Sequence, residues 1–225
     1  METIRSISLF LHIVAGFIAL VVGVFAFASR KGGKWHRYSG KIYVWAMVVV
    51  ALSAFLLALI RYNPFLFMVG VFTFHMTITG YRGLARKQKN QSKQWDWMLI
   101  GFSVLMAGYM TVNTISNTGQ SLNEFMPVVL VFTIILLAFI VKDVRIYSGL
   151  VAMSANQWLM YHITRISGAY IATFTAFLVT NVQTQPAYIA WLLPTMVGSV
   201  VIAYFQRKYK VKPKAGRKLK NRLTT

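Results

Sequence analysis

The sequence predicts an all-α fold, a polytopic membrane protein of seven transmembrane helices with the N-terminus outside and the C-terminus cytoplasmic. Three observations lead there. Of the 225 residues, 57% are hydrophobic and only 12% charged, about half the charged share of a soluble domain, and the mean hydropathy is +0.57. Seven segments are apolar and long enough, or nearly so, to cross a bilayer. Lysine and arginine crowd into alternate connections, so that one face of the predicted bundle is basic and the other is not.

A spanning helix needs about 20 apolar residues, because about 1.5 Å of rise per residue must cover a hydrocarbon core about 30 Å thick. The first segment is residues 4–28. Ala26-Phe27-Ala28 has the small residues of a signal-peptide cleavage site. The apolar run before it is longer than such a peptide needs, however, and Arg30 and Lys31 follow as a stop-transfer signal does, so a retained helix is expected. The next segments are 41–60, 64–84 and 97–112, the last diluted at its outer end by Asn113, Thr114 and Ser116. The fifth, 122–141, opens on Ser121-Leu122-Asn123-Glu124, a capping-box pattern. The sixth and seventh are 157–180 and 187–204. Pro64 and Pro186 fall where a first-turn proline costs little, and Pro127 and Pro194 fall inside apolar segments, where kinks are expected. The division is one transmembrane domain, 1–206, followed by a basic tail, 207–225.

Orientation follows from counting cations. Of the 24 Lys and Arg residues, 21 lie after the first, third, fifth and seventh segments. The other side receives Arg5 and Arg61, and Arg165 falls within the sixth segment. The rich side is cytoplasmic under the positive-inside rule. A net charge of +20 would otherwise raise the question of nucleic acid, but cations placed between apolar runs and in a tail meet anionic lipid headgroups first. Lipid is thus the expected partner, with a membrane redox partner implied if the protein carries electrons. Trp35, Trp45, Trp95, Trp97 and Trp158 cluster near the predicted cytoplasmic ends, where an indole keeps its N–H in the headgroup layer.

The residue types present narrow the chemistry. There is no cysteine, which removes disulfides, thiolate nucleophiles and iron–sulfur ligation. No nucleophile elbow, phosphate loop or His-Glu-x-x-His pattern occurs. Asp96 and Asp143 fall at predicted cytoplasmic ends and Glu124 at an outer end, so no buried carboxylate pair is expected. What remains is histidine. His12, His75 and His162 lie within apolar segments, and His36 lies at the cytoplasmic start of the second. An ionisable group at membrane depth is costly and points to function by default.

Helical spacing turns the three inward. His12 shares a face with Ala15, Gly16, Ala19 and Gly23, a stripe of small residues; His75 lines up with Thr79, Arg82 and Arg86; His162 lines up with Arg165, Ala169, Thr173, Ala176 and Thr180. Two neutral imidazoles from different helices at similar depth can hold a haem iron, with an arginine for its propionates. His12 with His75 is one such pairing and His36 with His162 a second, with Arg165 as the anion-holding residue. Haem b is the sharpest candidate cofactor and electron transfer its implied role. Other readings stay open: histidines that only hydrogen-bond within the bundle, a proton or small-solute path along the third and sixth helices, and a scaffold subunit of a membrane complex.

Four stretches carry a resemblance: Leu11-His12-Ile13-Val14-Ala15-Gly16, Trp35-His36-Arg37-Tyr38-Ser39-Gly40-Lys41-Ile42-Tyr43-Val44, Gly80-Tyr81-Arg82-Gly83-Leu84 and His162-Ile163-Thr164-Arg165-Ile166-Ser167-Gly168. The chain resembles domain-of-unknown-function family 2306, predicted bacterial membrane proteins, from the first helix through the seventh, including Thr175-Ala176-Phe177-Leu178-Val179 and Trp191-Leu192-Leu193-Pro194-Thr195. The resemblance implies a bacterial plasma-membrane protein and no particular activity.

Overall fold

The computed structural model describes residues 1–89, 92–116 and 126–209. They form seven α-helices, with no strand among the described residues: α1 (Glu2–Ala28), α2 (Lys34–Ile60), α3 (Pro64–Lys89), α4 (Gln94–Ser116), α5 (Met126–Tyr147), α6 (Ala155–Asn181) and α7 (Tyr188–Tyr209). Their lengths of 22 to 27 residues correspond to about 33 to 40 Å, enough to cross a bilayer. Five of them, α1, α2, α5, α6 and α7, are also apolar enough by composition.

The lower apolarity of α3 has a structural cause. It is the central helix, packed against α2, α4, α5 and α6, and its Thr73, His75, Thr77 and Thr79 are all buried. A helix wrapped by other helices need not present hydrocarbon to lipid. The outer surface is the reverse. Phe10, Phe17, Phe25, Leu59, Leu105 and Val200 all stand exposed, an apolar exterior that suits acyl chains rather than water.

Sequential helices run antiparallel. His12 of α1 reaches Val50 and Ser53 of α2, while His36 at the start of α2 reaches Ala26 at the end of α1. Glycines let α3 approach α6 closely. A Cβ on Gly80 would sit 2.7 Å from the Arg165 Cβ, and one on Gly83 would sit 2.9 Å from the Tyr161 ring. Without a hydrophobic driving force inside lipid, close backbone approach through such small residues is what brings helices together. The small-residue stripe of α1 behaves likewise. Ala15, Ala19 and Gly23 are buried against α2 and α6, whereas Gly16 faces open space.

Several boundaries differ from expectation. α2 begins at Lys34, seven residues before the expected start, because a helix continues beyond the apolar stretch as a basic turn in the interface. α5 runs from Met126 to Tyr147 rather than over 122–141, so Pro127 stands in its first turn, where it breaks no hydrogen bond, and not in mid-helix. Pro194 is inside α7 as expected, and Pro186 precedes that helix by two residues. The expected cap at residues 121–124 lies outside the described residues. A capping box does open α6, where Ser154 accepts from the Gln157 amide and the Gln157 side chain accepts from the Ser154 amide. Arg207 and Lys208 form the last turn of α7, and residues 210–225, most of the expected basic tail, lie outside the described residues. Trp158 does not face outward. It is 1% exposed and packs edge-on to Tyr161 in the core, whereas Trp35, Trp45, Trp95 and Trp97 are exposed or at the exposed margin.

Candidate functional site

Two histidine sites emerge, both using α3 and α6 but otherwise built by different helices. The first is a cleft of about 580 Å³ at the basic end, formed by α1, α2, α3, α6, α7 and the α1–α2 turn. Its walls are mainly apolar, including Phe27, Val44, Leu84, Ile166 and Phe205, and His36 and His162 both line it.

Each of these imidazoles is oriented by a backbone carbonyl. His36 Nδ1 lies 3.0 Å from the Ala26 oxygen, and His162 Nδ1 lies 2.9 Å from the Gly80 oxygen. A carbonyl only accepts, so each Nδ1 carries the hydrogen, and in the neutral ring the Nε2 lone pair is left over. No hydrogen bond to either Nε2 is made by the described residues. The two rings are within electrostatic reach of each other. A second nitrogen fixed on a backbone carbonyl is also what orients metal-ligating histidines.

The mouth of the cleft is cationic. Lys31, Arg37 and Lys41 line it. Among the described residues the acids are engaged elsewhere, Glu2 with Arg5, Asp96 with Arg82, and Asp143 with Arg165. Lys31 caps α1 by donating to the Ala26 and Phe27 carbonyls, and it sits over the Phe27 and Phe205 rings at 5.4 and 5.3 Å. Burial pushes its ammonium below the ordinary lysine value, and repulsion from Lys208 adds to this. The geometry of the turn thus has a local cause: orphan carbonyls at the end of α1 draw in Ser29, Lys31 and His36 together,.

The second site is a closed polar cluster among α3, α4, α5 and α6. His75 Nε2 lies 3.0 Å from Asp143 Oδ2. Asp143 Oδ1 accepts from Arg165 at 2.6 Å and from the Tyr161 hydroxyl at 2.8 Å. His75 Nδ1 lies 2.9 Å from Ser103 Oγ. Arg165 also donates to the Phe139 carbonyl and stacks over the Phe139 ring at 3.9 Å. His75 and Asp143 are 0% exposed and Arg165 1%.

This cluster corrects the expectation that Asp143 sits at a surface end. Because α5 continues to Tyr147, Asp143 is inside the helix and on its buried face. The signal was in the spacing: Val129, Phe132, Leu136, Ile140, Asp143 and Tyr147 recur at three and four residues and are all buried. Asp143 continues that face and must find a cation. Arg165 therefore neither reaches the interface nor waits for an external anion, since its anion is supplied by α5.

The pairing of His12 with His75 does not form. α1 and α3 make no contact among the described residues, and His75 points to α4 and α5 with both ring nitrogens engaged. His12 is held between α1 and α2 by the Val50 carbonyl at 3.1 Å and Ser53 Oγ at 3.0 Å. The structure does bring His36 and His162 to one cleft. Among the described residues no group of three or more His or acidic side chains is placed to hold a metal ion.

The cleft's turn and its first two helices fall in a stretch with a recognised family model. Residues 9–118 match DUF2306, described as a predicted membrane protein. The DUF2306 match contains His12, His36 and His75 and runs from α1 to the region following α4. It ends before Asp143, His162 and Arg165, so the resemblance read in 162–168, 175–179 and 191–195 lies beyond it. No curated protein and no solved structure matches the chain.

Proposed function

We propose that this membrane protein is a binding module whose basic-end cleft takes a flat, apolar ligand bearing acidic groups, with haem b as the ligand that uses both imidazoles and the cations beside them. The observation that carries the reading is the pair His36 and His162, both lining one apolar cleft and both held by carbonyls at Nδ1 so that Nε2 is left over. Lys31, Arg37 and Lys41 at the mouth suit propionates or other carboxylates. The volume of the cleft falls within the range of cofactor sites, about 300 to 1,000 Å³.

A lipid would fill the apolar walls but would leave the two imidazole lone pairs without a role, which favours a ligand that needs donor nitrogens. His36 and His162 would hold such a haem, and the chemistry it would supply when bound is electron transfer. In this reading the protein sits in a bacterial plasma membrane with its basic end in the cytoplasm, where the loops and tail meet anionic headgroups and a redox partner reaches the cleft.

The test is an oxidised and dithionite-reduced visible spectrum of detergent-purified protein from haem-replete cells. A Soret band that shifts on reduction, and that is lost in His36→Ala and in His162→Ala but kept in His12→Ala, is expected. Colourless, iron-free protein overturns the proposal.

A further inference from the structure

The buried cluster around His75 has a property that the cleft reading does not use. The Arg165 guanidinium only donates, and it and Tyr161 both donate to Asp143 Oδ1, so Asp143 is the accepting partner of a buried ion pair,. His75 Nε2, facing Oδ2, must then carry a hydrogen. The only variable position in the ring is Nδ1, and opposite it stands a hydroxyl that can take either role. Ser103 Oγ is 2.9 Å from His75 Nδ1 and 2.8 Å from the Leu99 carbonyl. In one arrangement the Ser103 hydrogen points at an unprotonated Nδ1. In the other it points at the Leu99 carbonyl, and Ser103 Oγ accepts a hydrogen from a protonated Nδ1. The two differ by one proton and one hydroxyl rotation, with every heavy atom in place.

We propose that His75 Nδ1 is a proton-binding site in the interior of the bundle, read out by rotation of the Ser103 hydroxyl. The step balances with hydronium as the donor: its O–H bond breaks as an N–H bond forms at the Nδ1 lone pair, a water molecule is released, and the charge of the cluster rises by one. The Asp143 carboxylate, facing Nε2, attracts the new charge. Arg165 and Lys142, the latter over the Tyr161 ring, repel it. Tyr161 is neutral and bonds to Asp143, with the Tyr147 hydroxyl 3.4 Å beyond. From α4 the facing group is Ser103. Among the described residues α2 brings no titratable group to this ring. The site is separate from the cleft, so a colourless protein would sink the haem reading and leave this one intact.

Nitrogen NMR of ¹⁵N-histidine-labelled protein in lipid nanodiscs tests it. The chain has four histidines, so His75 is assigned by loss of its signals in His75→Gln or, should that variant not fold, by retention in the triple variant His12→Gln, His36→Gln, His162→Gln. Between about pH 9 and about pH 5, Nδ1 is expected to pass from unprotonated to protonated while Nε2 stays protonated throughout. Ser103→Ala removes a hydrogen bond that is stronger to the cation than to the neutral ring, and is expected to weaken proton binding about tenfold. A His75 ring whose protonation is unchanged over this range, a change located at Nε2, or a midpoint unaffected by Ser103→Ala each overturns the proposal.

Discussion

The Asp143 carboxylate and the Arg165 guanidinium meet at 2.6 Å with both side chains shut away from solvent, and this pair ties α5 to α6. A buried ion pair is expensive to form, so its net worth over apolar residues is small, but loss of one partner strands a charge. Asp143→Asn and Arg165→Met are therefore each expected to destabilise the protein by about 3 to 5 kcal/mol. The double variant Asp143→Leu, Arg165→Met should recover part of that loss. Thermal unfolding in one detergent across the three variants checks this, and a double variant no better than either single one would count against a pairwise origin.

Gly80 sets the approach of α3 to α6, since a Cβ there would stand 2.7 Å from the Arg165 Cβ and 3.0 Å from Ile166 Cγ1. Gly80→Val must push the two helices apart. An overpacking cost of about 1 to 3 kcal/mol is expected, together with a weakened Asp143–Arg165 contact. By contrast, Gly16→Ala should be neutral, because nothing lies within 4 Å of its built Cβ. Equal melting temperatures for the two variants would contradict the packing.

Lys31 gives a pH dependence with a definite sign. Burial first and Lys208 second lower its folded-state proton affinity, so the unfolded chain binds that proton more tightly. Stability then rises with pH over the window between the folded value and the ordinary lysine value of about 10.4. Lys208→Ala should narrow this window from below, and a bound carboxylate should do the same. Competitive amine labelling of Lys31 against pH, with and without haem, reads both effects. A labelling profile like that of an exposed lysine would be the contrary result.

Orientation is accessible because the chain has no cysteine of its own. A single cysteine at Lys34, beside the cleft mouth, should react with an impermeant maleimide only from the cytoplasmic side, and one at exposed Tyr62 only from the outside. The opposite pattern would reverse the topology argued from the lysines and arginines.

The sequence by itself determined the class of solvent and the number of helices. Runs of about 20 apolar residues leave the backbone no way to satisfy its amides in lipid except as helices. It also turned His12, His75 and His162 inward, because helical spacing fixes which residues share a face. Spacing within one helix cannot say which neighbouring helix that face meets, which is why sequence alone allows His12 to pair with His75 although α1 and α3 do not touch. Tertiary structure alone decided that His36 and His162 share a cleft, since they meet only because α1 and α3 each pack against both α2 and α6. Asp143 marks the boundary between the two kinds of information. Its place on the buried face was written in the three- and four-residue spacing of α5, but which cation answers it depended on glycines at 80 and 83 letting α6 come close enough to deliver Arg165.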